Sequence, residues 1–207
     1  MRTRSSGVTT QPSTSRVSRA LLVSGSQTPS RSTTSCALFG DRTVAEAFRA
    51  REMLRVLADH GVEFVVIGGI AGVARGSAYM THDLDIAYSR DATNLHKLAA
   101  ALTQLEARLR GAPRSVPFLL DAETLRKGAH FTFETALGPL DILDRPDGSP
   151  GYDELKRRAG EPLDVDGLPV LVASLDDLIA MKEATGRPRD RLVASELRTL
   201  ADEIKER

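Results

Sequence analysis

The sequence predicts an α/β protein of the α+β kind, a short mixed sheet flanked by helices and followed by a helical C-terminal part, and three observations predict it. A β-branched run, Val62-Glu63-Phe64-Val65-Val66-Ile67, is bounded by glycines and reads as a buried strand. Other stretches carry apolar residues at helical spacing, as Leu95, Leu98, Leu102 and Leu105 do. Strand and helix signals interleave up to about residue 145 and give way to mainly helical ones beyond it, the order of an α/β core with a helical tailpiece.

Taken in order, Val44, Phe48, Met53, Leu54 and Leu57 predict a helix that stops near Asp59, where His60-Gly61 supplies a stop signal. After the strand at residues 62–67, Gly68-Gly69 turns the chain into a second helix over about residues 70–75. Leu84-Asp85-Ile86-Ala87-Tyr88 is the next strand, and residues 94–109 form an amphipathic helix. A short helix at 122–127, a strand at 130–134, a turn at Leu137-Gly138 and a strand at 139–143 complete the core. Beyond a loop rich in Pro, Asp and Gly, the pattern gives a short helix at 152–158 and a hairpin within 163–172 around Asp166-Gly167. Ser174 with Asp177 three residues on resembles a capping box, starting a helix that stops at Gly186, and Pro188 begins the last helix. No internal repeat is visible.

The chain has 207 residues with 28 basic and 28 acidic side chains, but residues 1–40 hold five arginines and no acid, which leaves 23 basic against 28 acidic residues in the rest. That Ser/Thr/Arg-rich stretch cannot bury enough apolar surface to offset the entropy of ordering, and is expected to be a disordered tail, with a transit peptide as the alternative. Residues 41–207 are then one domain, with a core at 41–145 and the helical part at 146–207. The net acidic core lowers the expectation of a nucleic-acid surface without removing it. A single cysteine, Cys36, excludes an internal disulfide framework and fits a reducing cytosol. No apolar run approaches the ~20 residues that span a bilayer.

The chemistry concentrates in Gly68-Gly69-Ile70-Ala71-Gly72, Gly76-Ser77 and Thr81-His82-Asp83-Leu84-Asp85-Ile86. Alternation along a strand points Asp83 and Asp85 the same way while Leu84 and Ile86 enter the core. Two like charges side by side call for a cation or a proton, and hard carboxylate oxygens suit Mg²⁺ or Mn²⁺. A Gly-Gly turn at a helix start lets backbone N–H groups approach a triphosphate. A third carboxylate, Asp141, is flanked by Leu140 and Ile142 on another strand, so three acids from two neighbouring strands could hold two divalent ions about 4 Å apart, with Asp141 a ligand or the general base. Each piece alone is ordinary, since Asp-x-Asp and glycine turns are frequent in solvated loops; the order of all of them is specific.

That order resembles the nucleotidyltransferase superfamily typified by DNA polymerase beta. Gly-Gly-x-Ala at 68–71, Thr-x-Asp-x-Asp at 81–85 and the run Leu175-Asp176-Asp177-Leu178-Ile179-Ala180-Met181-Lys182 through Gly186-Arg187-Pro188-Arg189-Asp190 look like its AbiEii and MenT type, toxins of toxin–antitoxin pairs. The resemblance covers residues 62–196. It implies a nucleotidyltransferase fold, a nucleoside triphosphate donor, Mg²⁺ or Mn²⁺ and, as acceptor, the 3′ end of transfer RNA, with a cognate antitoxin as partner. By position, the metal-binding pair falls on Asp83 and Asp85, the third carboxylate on Asp141 and the turn on Gly68 and Gly69. Lys182 becomes the triphosphate contact and a catalytic group, Arg187 and Asp190 close the site, and Ser77 and Thr81 join the nucleotide-binding set.

Many relatives carry a basic residue just before the Thr or Ser that precedes the aspartates. Here that position lies in Gly76-Ser77-Ala78-Tyr79-Met80-Thr81, which leaves Arg75 as the candidate phosphate-facing charge. By resemblance to one toxin branch Thr81 is also a modification site, where a phosphate would repel Asp83. His82 should point away from the aspartates, and His60, His96 and His130 show no metal-ligand spacing. Two other readings compete: an enzyme of the same fold modifying a small molecule, as aminoglycoside nucleotidyltransferases do, or a protein by AMP transfer; and a catalytically silent binding partner, against which the three intact acids speak.

Overall fold

The computed structural model describes residues 48–113 and 118–206. The expected tail at 1–40, the domain boundary beside it and the first part of the expected opening helix lie outside the described residues.

Five strands form one mixed sheet in the order β1-β2-β5-β4-β3, made of β1 (Phe64–Ile67), β2 (Leu84–Tyr88), β3 (Arg108–Leu109), β4 (His130–Thr135) and β5 (Gly138–Leu143). Among the described strands of this sheet only the β2–β5 pairing is parallel. Seven helices are present among the described residues: α1 (Ala50–Asp59), α2 (Gly68–Ala74), α3 (Ala92–Gln104), α4 (Ala122–Lys127), α5 (Tyr152–Ala159), α6 (Leu175–Thr185) and α7 (Pro188–Lys205). A separate hairpin joins β6 (Leu163–Val165) to β7 (Leu168–Val170), and the chain after it docks on the sheet edge, where Val66 N–H donates to Leu171 O and Ala173 N–H to Val66 O. This is the short mixed sheet with flanking helices that the sequence predicts.

Alternation decides which face is core. Leu84, Ile86, Leu140, Ile142 and Phe133 have no exposed surface, whereas the residues between them on β2 and β5, Asp85 and Asp141, remain partly open. Each fully buried side chain of this size stabilises by roughly 1.5–3 kcal/mol. Phe131 and Phe133 stack with centroids 5.9 Å apart, and Phe118 packs against both. Asn94, 2% exposed, ties the sheet to α3: its Oδ1 accepts from Glu63 N–H at 2.6 Å, and its Nδ2 donates to the carbonyls of Glu63 and Ser89.

Boundaries follow local chemistry. The Asp91 side chain caps α3 by accepting from the backbone N–H groups of Thr93 and Asn94. Ser174 caps α6 through Asp177 N–H, Gly186 ends α6 at φ 66°, and Pro188 opens α7. One expectation fails: the helix read over residues 94–109 ends at Gln104, and Arg108–Leu109 is a strand. Leu105 and Leu109 keep a helical spacing, but Glu106 adopts φ 54°, which breaks the helix and turns Leu109 to pair with Phe133.

Candidate active site

The parallel register of β2 and β5 sets Asp85 directly beside Asp141. Asp83 lies just before β2 on the same side as Asp85, and one carboxylate oxygen from each of the three comes within 4.8 Å of the others. A set of three hard oxygen donors fits a divalent cation of the Mg²⁺ or Mn²⁺ type and lacks the nitrogen or sulfur ligands of a typical zinc site. Burial raises the Asp85 carboxyl to about 7, and repulsion from Asp83 and Asp141 adds to it against the attraction of Lys182 and Arg110. Asp141 is likewise raised, chiefly by burial, with Arg110 opposing. These groups crowd anions together, and Lys182 and Arg110 offset the crowding only in part.

The glycine pair has a packing reason of its own. Gly68 has φ 66°, and a Cβ there would overlap the Asp85 carboxylate, while a Cβ on Gly69 would overlap Thr81. The turn is therefore small so that a carboxylate and a threonine can lie against it. The Thr81 hydroxyl donates to Asp83 Oδ1.

A cleft opens from the carboxylates toward the C-terminal hairpin of helices. Gly68, Gly69, Ser77, Thr81, Asp83 and Asp85 line one side, and Lys182, Arg187 and Asp190 line the other. Lys182 Nζ donates to Asp190 Oδ1 at 3.1 Å, and the Thr185 hydroxyl to Asp190 Oδ2 at 2.7 Å. Burial pushes the Asp190 carboxyl up, but hydrogen bonds from Thr185 and Lys182 and the charges of Lys182 and Arg187 outweigh it and hold the group below its usual range. Asp190, near the N-terminus of α7, thus stays ionised and aims Lys182 from α6 into the cleft. Gly68, Gly69, Ser77, Thr81, Lys182, Arg187 and Asp190, expected to bind nucleotide, lie on this one cleft, and Arg75 does not; Asp141 adjoins the cleft through Asp85.

Two expectations change. Ser77 lines the cleft, yet its hydroxyl is spent on α7, donating to Glu196 Oε1 and Oε2 at 3.1 and 2.9 Å. Arg75 does not line the cleft: its guanidinium donates to the carbonyls of Ala159, Val172 and Ala173, fastening α2 to the C-terminal segment. The histidines are peripheral, as expected. His82 is exposed, and His60, His96 and His130 hydrogen-bond to Gln104 and to the carbonyls of Ala92 and Arg145.

Sequence reasoning missed Arg110, Arg189 and Glu196. Arg110 Nη2 donates to Asp141 Oδ1 at 2.8 Å and to Phe133 O at 3.2 Å, with Nε 3.1 Å from Glu134 Oε1. It is the counter-charge of the third carboxylate. Arg189 lines the cleft beside Arg187, within the same basic run, and was recoverable from it. Arg110 left no local signal, because its partner stands 31 residues away on another strand.

No family model matches the chain, and no curated protein does. Among solved structures, the antibiotic-resistance factor ANT(2'')-Ia in solution is 16% identical over 76% of this chain and 89% of its own, with a TM-score of 0.46. A Thermotoga maritima protein assigned as a nucleotidyltransferase is 16% identical over 79% and 98%, with a TM-score of 0.46. The lincosamide antibiotic adenylyltransferase LnuA, bound to lincomycin, is 14% identical over 72% and 94%, with a TM-score of 0.48. At these scores and identities the likenesses leave the chemistry to be argued from the site itself.

Proposed function

We propose that this chain is a nucleotidyltransferase of the DNA polymerase beta-like fold, transferring a nucleotide from a nucleoside triphosphate to an acceptor hydroxyl. The observation that carries this reading is the convergence of Asp83, Asp85 and Asp141, the first two lining a cleft that Lys182, Arg187 and Arg189 also line. Asp83 and Asp85, with Asp141 beside them, share the cleft with Lys182, Arg187 and Arg189, a lining that suits a polyphosphate held through divalent ions.

In this reading Asp83, Asp85 and Asp141 hold Mg²⁺ or Mn²⁺, which when bound offsets phosphate charge and lowers the pKa of the attacking hydroxyl. Lys182, aimed by Asp190, and Arg187 bind the β- and γ-phosphates, where negative charge develops as pyrophosphate leaves. The acceptor oxygen forms a bond to the α-phosphorus while the bond from that phosphorus to the bridging oxygen of pyrophosphate breaks. Asp141, oriented by Arg110, supplies the carboxylate that takes the hydroxyl proton.

The acceptor we propose is the 3′ end of transfer RNA, with the protein acting in the bacterial cytoplasm as the toxin of a toxin–antitoxin pair of the AbiEii and MenT type. The motif run from Leu175 to Asp190 supports this branch, and no helix of the described residues is long and apolar enough to cross a membrane. The test is expression with and without Asp83→Ala/Asp85→Ala, followed by end-labelling analysis of cellular transfer RNA. Growth arrest with extended transfer RNA 3′ ends only in the wild type is expected; equal arrest by both forms would remove the catalytic toxin. A second reading, a small-molecule or protein acceptor, is favoured by the excess of acidic over basic residues beyond residue 40. It predicts transfer activity with unaltered transfer RNA.

A further inference from the structure

The segment 77–81, which bridges α2 and β2, has no regular structure, yet it forms one wall of the cleft through Ser77, Tyr79, Met80 and Thr81. Tyr79 and Met80 are 37% and 76% exposed, so packing does little to hold the segment in place. Its hydrogen bonds do. Ser77 N–H donates to Gly72 O at 2.9 Å, at the α2 end, and Thr81 donates to Asp83 at the β2 end. Between these, Glu196 of α7 accepts from the Ser77 hydroxyl with both oxygens and from Ala78 N–H at 3.0 Å, while Tyr79 N–H donates to Ser77 Oγ at 3.2 Å. Among the described residues, Glu196 is the one side chain from beyond α2 and β2 that hydrogen-bonds this segment.

The same helix carries Asp190, which aims Lys182. Six residues separate Asp190 from Glu196, about 9 Å along a helix rising 1.5 Å per residue. One rigid element therefore sets both walls: Asp190 places the cation on the far side, and Glu196 places the wall that leads into Thr81 and Asp83. We propose that Glu196 is a positioning residue for the nucleotide, a clamp that holds segment 77–81 at a fixed distance from the Lys182 side of the cleft. The proposal rests on the transferase reading. It assigns Glu196 no contact with substrate; its carboxylate acts through backbone amide and hydroxyl groups that would otherwise turn to water. Hydrogen bonds to a charged group are strong enough for their loss to free a short exposed segment while the helix beneath it stays folded.

The experiment combines backbone amide exchange with steady-state kinetics on the full chain, comparing wild type, Glu196→Ala, Glu196→Gln and Glu203→Gln, an exposed control on the same helix. Glu196→Ala is expected to speed exchange at Ala78 and Tyr79 at least about tenfold, without speeding it across α6 and α7, and to raise KM for the nucleoside triphosphate about tenfold with kcat changed less than about threefold. Glu196→Gln keeps one acceptor oxygen and recovers most of both effects; Glu203→Gln changes neither. The proposal is overturned by unchanged exchange at 78–79, by exchange that rises equally throughout α6 and α7, or by faster exchange with an unaltered KM. If MgATP and the other three triphosphates give the wild type neither protection nor turnover, the transferase reading falls and the positioning role with it. The clamp as a physical contact is still decided, by the exchange comparison alone.

Discussion

Replacing Asp85 with asparagine should make the metal-free protein more stable. The structure raises the Asp85 carboxyl from its ordinary 3.8 to about 7, first through burial and then through Asp83 and Asp141. At about 1.4 kcal/mol per pH unit of difference, holding this group ionised in the folded state costs up to about 4 kcal/mol, and roughly 2–4 kcal/mol after allowance for solvent reaching a partly open side chain. A carboxyl raised on folding favours the fold while it is protonated. The wild type therefore loses this contribution as pH rises from about 4 through about 7, and above 7 carries the full penalty. Asp85→Asn keeps the shape and removes the charge. Urea unfolding in EDTA should show the variant gaining less than about 1 kcal/mol near pH 4, with the gain growing through neutrality and levelling above it. Saturating Mg²⁺ should stabilise the wild type at pH 8 and leave the variant much less changed. A variant equal to or weaker than the wild type at pH 8 in EDTA would refute the electrostatic reasoning.

Gly68→Ala combines a left-handed φ with overlap on Asp85, so a stability loss of about 1–2 kcal/mol from the backbone alone and a fall in turnover of about a hundredfold are expected, read by melting and by initial rates. Arg110→Ala leaves Asp141 without its counter-charge and is expected to destabilise the metal-free protein by about 1–2 kcal/mol, discounted because both side chains are partly exposed, with Mg²⁺ recovering most of it. An equal loss with and without Mg²⁺ in urea titrations would show that Arg110 serves packing only. Lys182→Ala removes the proposed phosphate contact and the partner of Asp190, and is expected to raise KM for the triphosphate at least about tenfold.

What could be read in the sequence was whatever repeats locally. Two-residue alternation placed Asp83 and Asp85 on one side and Leu84 and Ile86 in the core, and the same rule isolated Asp141 between Leu140 and Ile142. Caps and stops such as Ser174, Gly186 and Pro188 carry their chemistry within a few residues, so the C-terminal helices were legible almost to the residue. What stayed hidden depends on pairing. Arg75 was assigned toward phosphate because residues 76–81 hold no basic side chain, but its partners are carbonyls 84–98 residues further on. Glu196 meets Ser77 and Ala78 across almost 120 residues, and Arg110 reaches Asp141 only because β3 and β5 flank β4. The α3 boundary failed for the opposite reason: Leu105 and Leu109 satisfy a helical period locally, and only the left-handed turn at Glu106 shows that the second belongs to a strand.

In the proposed reaction the three carboxylates and the basic side chains of the cleft carry out transfer at the α-phosphorus. The direct measurement is incubation of the purified protein with Mg²⁺ and lysate-derived acceptors, using each triphosphate labelled either at the α- or at the γ-phosphate, with Asp83→Ala/Asp85→Ala beside the wild type. The account predicts that α-label becomes attached to an acceptor, that γ-label is released as pyrophosphate, and that the variant does neither. Attachment of the γ-label, or equal labelling by wild type and variant, would contradict it.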